Sequence, residues 1–140
     1  MSGSSAALAL APEALSIRDV YNFHSAANFA FHQLHANACR FDGDLTAFLV
    51  YSAFMVASAA DTLKAMPTAE NIEMVNAVLS LQSISEMTGV PRETARRKCK
   101  QLIDLGLLES FSGSKYRSIL AYEDVEQMVV QLRNIAKIIQ

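Results

Sequence analysis

Residues 91 to 117 hold seven bases, Arg92, Arg96, Arg97, Lys98, Lys100, Lys115 and Arg117, against three acids, Glu93, Asp104 and Glu109. Guanidinium and ammonium groups at this density do one kind of chemistry well, which is to bind phosphate. The whole 140-residue chain has a net charge of -2, so a local balance of +4 leaves -6 on the remainder. A basic segment in an otherwise acidic chain is the electrostatic footprint of a phosphate-binding face.

His24, His32, His35 and Cys39 recur at helical spacing, with Asn28 continuing the stripe, and such a set could hold a metal or sense redox state. A zinc or iron site normally has a tighter ligand set or carboxylate partners. The stripe therefore reads as a polar edge or dimer contact, and neither a metal nor another cofactor is expected. No Gly-rich phosphate loop, nucleophile elbow, HExxH pair or Cys/His catalytic arrangement occurs, so the chain is not expected to be an enzyme. Cys39 and Cys99 lie far apart without a CxxC pair, which gives neither a disulfide framework nor a zinc signature and fits a reducing, cytoplasmic setting.

The elements that must position the basic segment can be read from caps and periodicity. Ser83 and Glu86 have the spacing of a capping box for a short helix with Ile84 and Met87 facing inward, and Ser85 is small enough for close helix approach. Gly89 supplies a left-handed exit, Val90 plugs the core, and Pro91 suits the first turn of the next helix, with Ala95, Cys99, Leu102 and Ile103 inward. Gly106 ends that helix. Leu107 to Phe111 and Tyr116 to Tyr122 then read as strands around a Ser112-Gly113-Ser114-Lys115 turn.

Upstream, residues 1 to 15 read as a flexible leader with no charged n-region of a secretory signal. Ser16 and Asp19 form a capping box for a helix whose Val20, Phe23, Ala27, Phe31, Leu34, Ala38 and Phe41 share a face, ending near Asp42-Gly43. Asp44 caps a second helix, Leu45 to about Met66, stopped by Pro67; its uncharged stretch, Leu45 to Ala60, is too short to span a bilayer. It must be enclosed by the fold or shared with another subunit. Thr68 is expected to cap a third helix with Ile72, Val75, Val78 and Leu79 inward, followed by a brief extended Leu81-Gln82. The last helix, Glu123 to about Ile139, has a seam of Val125, Met128, Leu132, Ile135 and Ile139 that reads either as intersubunit pairing or as packing on its own domain.

Residues 83 to 108 resemble the winged helix-turn-helix regulators of bacteria. Within them Arg92-Glu93-Thr94-Ala95-Arg96-Arg97 is similar to the start of the recognition helix in the Crp/Fnr family. That resemblance implies that Arg92, Glu93 and Arg97 face base edges in a major groove and that Thr94 lies close to a phosphate. The chemistry is compatible, since Arg grips guanine O6 and N7 with two hydrogen bonds and Glu accepts from the cytosine amino group. Arg96, Lys98, Lys100, Ser114, Lys115 and Arg117 are then expected on the DNA backbone. The first 80 residues lack the β-roll of Crp/Fnr proteins, so no cyclic nucleotide site follows. Size and helical flanks are closer to the MarR group, but the wing lacks its Asp-x-Arg pattern, and the resemblance is to the wider superfamily.

The expected fold is therefore mainly α, a winged helix-turn-helix at 69 to 122 between a helical region at 16 to 68 and a C-terminal helix at 123 to 140, both used for dimerisation. An apolar content of 51% is high for so small a chain and suits burial between subunits. The expected activity is sequence-specific DNA binding as a homodimer that regulates transcription. The alternatives are a winged-helix protein-interaction module, or a ligand- or metal-responsive sensor whose small apolar effector would be lined by Phe29, Phe48, Tyr51, Phe54, Met55 and Met66.

Overall fold

The computed structural model describes residues 14–65, 73–120 and 122–139, and for residues 122 and 135–139 the backbone alone. Among them five helices surround a small antiparallel sheet: α1 Ile17–Arg40, α2 Leu45–Ala65, β1 Val78–Ser80, α3 Leu81–Thr88, α4 Arg92–Asp104, β2 Leu108–Ser112, β3 Lys115–Ser118 and α5 Tyr122–Ile139. The strand order is β1-β3-β2.

Helix α1 opens on the expected box, in which the Ser16 hydroxyl accepts from the Asp19 amide and the Asp19 carboxylate accepts from the Ser16 amide. Asp44 caps α2 by accepting from the Ala47 amide at 3.0 Å. At 21 residues α2 is long and apolar enough to cross a bilayer, longer than its uncharged stretch alone suggests. Here it is the central helix of the fold, with Ala47, Val50, Tyr51, Ala53 and Phe54 buried in a core completed by Ile84, Ala95, Cys99, Leu102, Leu108 and Tyr116.

The segment after α2 departs from the sequence reading. Residues 73–77 have no helix and Val78–Ser80 is a strand, so Val75, Val78 and Leu79 do not form a helical stripe; Thr68 and Ile72 lie outside the described residues, as does the leader over 1–13. The reason is tertiary. Strand β3 offers an edge that pairs Val78 with Arg117, Leu79 with Tyr116 and Ser80 with Lys115, and three- or four-residue spacing of apolar residues does not exclude a short strand. Leu81 and Gln82 consequently begin α3 instead of forming an extended piece. Its cap is Ser80, whose hydroxyl accepts from the Ser83 amide at 3.1 Å; Ser83 is not the cap, and Glu86 accepts from the Gln82 amide group instead of closing a box.

A buried polar hub fastens this strand to α2. The Ser58 hydroxyl accepts from the Ala77 amide at 3.0 Å and lies 3.0 Å from the Ser118 hydroxyl, while Thr62 accepts from the Val75 amide at 2.9 Å. Replacing Ser58 with Ala leaves the Ala77 amide buried without an acceptor, which should cost about 1–3 kcal/mol. Urea unfolding should show a lower midpoint at unchanged slope.

Candidate nucleic-acid interface

Helix α4 is seated by the turns at its two ends. Gly89 has φ +74°, a left-handed conformation that side chains resist, and its amide donates to the Ser85 carbonyl at 2.8 Å. The Ser85 hydroxyl donates to the Val90 carbonyl and the Thr88 hydroxyl accepts from the Val90 amide, so the link between α3 and α4 is held at every residue. Pro91 is the residue before the first helical turn, not part of it. At the other end Gly106, φ +76°, donates to Ile103 and Leu107 donates to Leu102, the two bonds of a Schellman stop. Ile84, Val90, Ala95, Cys99 and Leu102 are buried as expected and Ile103 is partly buried, whereas Met87 is half exposed and does not face inward.

With Ala95, Cys99 and Leu102 inward, helical geometry puts Glu93, Arg97, Lys100 and Asp104 at the centre of the outward face; Arg92, exposed at the N-terminus, lies off that face on the side of Arg96 and Ile103. Three of the seven bases are already engaged within the chain. Arg96 forms a two-pronged pair with Glu93, Arg117 pairs with Glu109 across the hairpin, and the Lys98 ammonium donates to Asp44 at 2.7 Å. Among the described residues no carboxylate lies within ion-pair distance of Arg92, Arg97, Lys100 or Lys115.

These pairings divide the cations by role. Burial alone would raise the Asp44 carboxyl, but the Lys98 hydrogen bond and the Ala47 amide outweigh it and hold the group below the ordinary carboxylate range. The half-buried Lys98 thus clamps α4 to the start of α2. Glu93 is also held below its ordinary value, chiefly by the hydrogen bond from Arg96. Thr94 is half-buried and accepts a long hydrogen bond, 3.4 Å, from Arg97.

The hairpin turns over Gly113 and Ser114, with Ser112 opposite Lys115, and its second strand ends at Ser118, short of Tyr122. Phe111 is the extra residue of a bulge between Ser110 and Ser112; it is exposed, and the Arg117 guanidinium lies 5.3 Å over its ring. Lys115 and Ser114 stand exposed at the tip, the Ser114 carbonyl accepting from the Leu81 amide that begins α3.

The remaining candidates fall elsewhere. Among the described residues no group of three or more His, Cys, Asp and Glu side chains is placed to hold a metal ion. Cys99 is buried and its thiol is pushed up to about 12 by burial, which keeps it in the unreactive form. Of the apolar effector candidates, Tyr51 and Phe54 are core, Phe48 and Met55 pack against it, Phe29 is half-buried, and Met66 lies outside the described residues. In the C-terminal seam, Val125 packs on the chain's own core and Met128 is half-buried against α1 and α2; Leu132 is half exposed, and the side chains of Ile135 and Ile139 are outside the described residues. The more exposed apolar face is on α1, where Val20, Phe23, Phe31 and Leu34 point outward. The helical spacing on α1 carried that signal, but not its direction. No protein-family model, curated protein or solved structure matches the chain.

Proposed function

We propose that the chain is a sequence-specific DNA-binding transcriptional regulator that works in the cytoplasm as a homodimer. One observation carries this reading: among the described residues, Arg92, Arg97 and Lys100 on one rigid helix and Lys115 on the neighbouring hairpin are cations without an internal carboxylate partner, in a molecule otherwise acidic. The element order from α2 to β3, helix, strand, two helices and a hairpin whose second strand is central, supports a winged helix-turn-helix with α4 as recognition helix.

In this reading Arg92, Glu93 and Arg97 meet base edges, and Lys100 and Lys115 meet phosphates. Arg96, Lys98 and Arg117 contribute less than their charge suggests, because each must first give up an internal acid. Dimerisation uses the exposed apolar face of α1, whose Phe23 and Phe31 are 75% and 62% exposed. The two recognition helices then enter successive major grooves about 34 Å apart.

Selection of bound duplexes from a random pool should enrich a pseudo-palindrome, and log affinity for it should fall linearly with log salt. Recovery of unselected sequence, with binding indifferent to salt, would leave a protein-interaction module as the better reading. Lys115→Ala should weaken binding almost equally on all sequences and flatten the salt slope by about one unit per subunit.

A further inference from the structure

Helix α2 is apolar on two sides, and the fold covers one of them. Ala47, Val50, Tyr51, Phe54, Ser58 and Thr62 are buried in the chain's own interior. On the opposite side Leu45, Leu49, Ser52, Val56, Ala59 and Leu63 follow one another at steps of four, three, four, three and four residues, the repeat of a coiled-coil seam. Among the described residues this seam lies largely open: Leu45, Leu49, Val56 and Leu63 are 57%, 44%, 64% and 66% exposed, and no charged residue occurs between Leu45 and Ala60. Ser52 adds no unmet polar group, because its hydroxyl already donates to the Phe48 carbonyl at 2.8 Å. An open apolar strip about 27 Å long, on a helix that the core already holds in place, marks a contact surface.

The order of large and small residues says what fits it. Two copies of α2 laid antiparallel about an axis level with Phe54 bring Leu45 opposite Leu63 of the second copy, Leu49 opposite its Ala59 and Ser52 opposite its Val56, and each pairing is made twice, as two-fold symmetry requires. Every small residue then meets a large one. Parallel pairing would set Ser52 on Ser52 and Ala59 on Ala59, leaving voids in two layers. Charge favours the same direction. Asp42 lies just before the seam and Lys64 at its far end; both are exposed, and among the described residues neither has an ion-pair partner. Antiparallel pairing brings the Asp42 end of one copy beside the Lys64 end of the other, and opposite ends of the two helix dipoles together.

We propose that the outward face of α2 is a self-association surface, which takes the α2 of a second copy of this chain antiparallel in that register. The contact is additional to the one on α1. It depends neither on that contact nor on DNA binding, and the test is made on the full chain alone.

Thiols placed at the two ends of the seam read the register. In a Cys39→Ser background, which removes the exposed native thiol, Leu45→Cys and Leu63→Cys are made as separate proteins and treated with a short bismaleimide. Mixed, they should give a cross-linked dimer; neither should do so alone, because like positions are about 27 Å apart in the antiparallel pair. Val56→Glu puts a charge into the middle of the seam and should weaken self-association about tenfold or more in sedimentation, with circular dichroism unchanged because the side chain is outside the core. If Phe23→Ala abolishes association and Val56→Glu does not, the α1 contact stands and the α2 contact falls; if the mixture cross-links but no duplex is bound, the α2 contact stands and the regulator reading falls. The proposal is overturned if the mixture does not cross-link, if either variant alone cross-links as readily as the mixture, which is parallel pairing, or if Val56→Glu associates as tightly as the unchanged protein. A seam covered by another part of the same chain would give that last result together with a lowered Tm.

Discussion

Phe54→Ala is expected to lower the stability of the chain by about 3–5 kcal/mol, as other large-to-small changes at fully buried aromatic positions do. Phe54 is 0% exposed and belongs to the cluster in which α2 meets α3, α4 and the sheet, so its removal opens a void at the junction of every element that seats the interface. Natural domains have only about 5–15 kcal/mol in total, and the loss is a large part of that. Denaturant titration followed by circular dichroism measures it. The contrasting substitution is Phe23→Ala on α1, 75% exposed, which should change the stability of the isolated chain by no more than about 0.5 kcal/mol. If α1 forms the dimer contact, Phe23→Ala should instead shift the monomer–dimer equilibrium, read by sedimentation at several concentrations. A Phe54 variant as stable as the unchanged protein would mean that α2 is not the centre of the core.

Arg97→Ala should weaken binding to the selected DNA site by about 1–3 kcal/mol per subunit and relax the preference at one base pair of each half-site. Arg97 stands at the centre of the outward face of α4, exposed, with no carboxylate within ion-pair distance among the described residues. Lys98, one residue further on, is the control. Its ammonium is committed to Asp44, so Lys98→Ala should leave base preference unchanged and act through the seating of α4. Titrations of the selected duplex and its single-base variants separate the two. Should Lys98→Ala alter base preference while Arg97→Ala does not, the face assigned to DNA is the wrong one.

How much could be read without the structure follows from the range of the forces involved. Ser16 with Asp19, Asp44 with Ala47, and the left-handed Gly89 and Gly106 act within a few residues, and each was legible because a cap or a turn needs only its own neighbours. The inward line of α4 was legible for the same reason, since helical periodicity fixes which residues share a side. Strand β1 was not, because its hydrogen bonds come from β3, nearly forty residues away in the chain; an isolated Val78-Leu79-Ser80 has no local signal strong enough to decide between helix and strand. The cap of α3 moved from Ser83 to Ser80 as a consequence, since either serine satisfies the local rule.

Charge type, helix caps and periodicity placed a basic, glycine-bounded helix and a basic hairpin in residues 83 to 118, because these properties are carried by single residues and their near neighbours. Which cations stay available is a different matter. Lys98 finds Asp44 54 residues away and Arg117 finds Glu109 across a strand pair, while Arg97 and Lys115 find no acid among the described residues. That division and the outward direction of the α1 apolar face both depend on packing between distant segments. Packing is set by the shape of the whole core, to which every element contributes at once, and no stretch of sequence contains it.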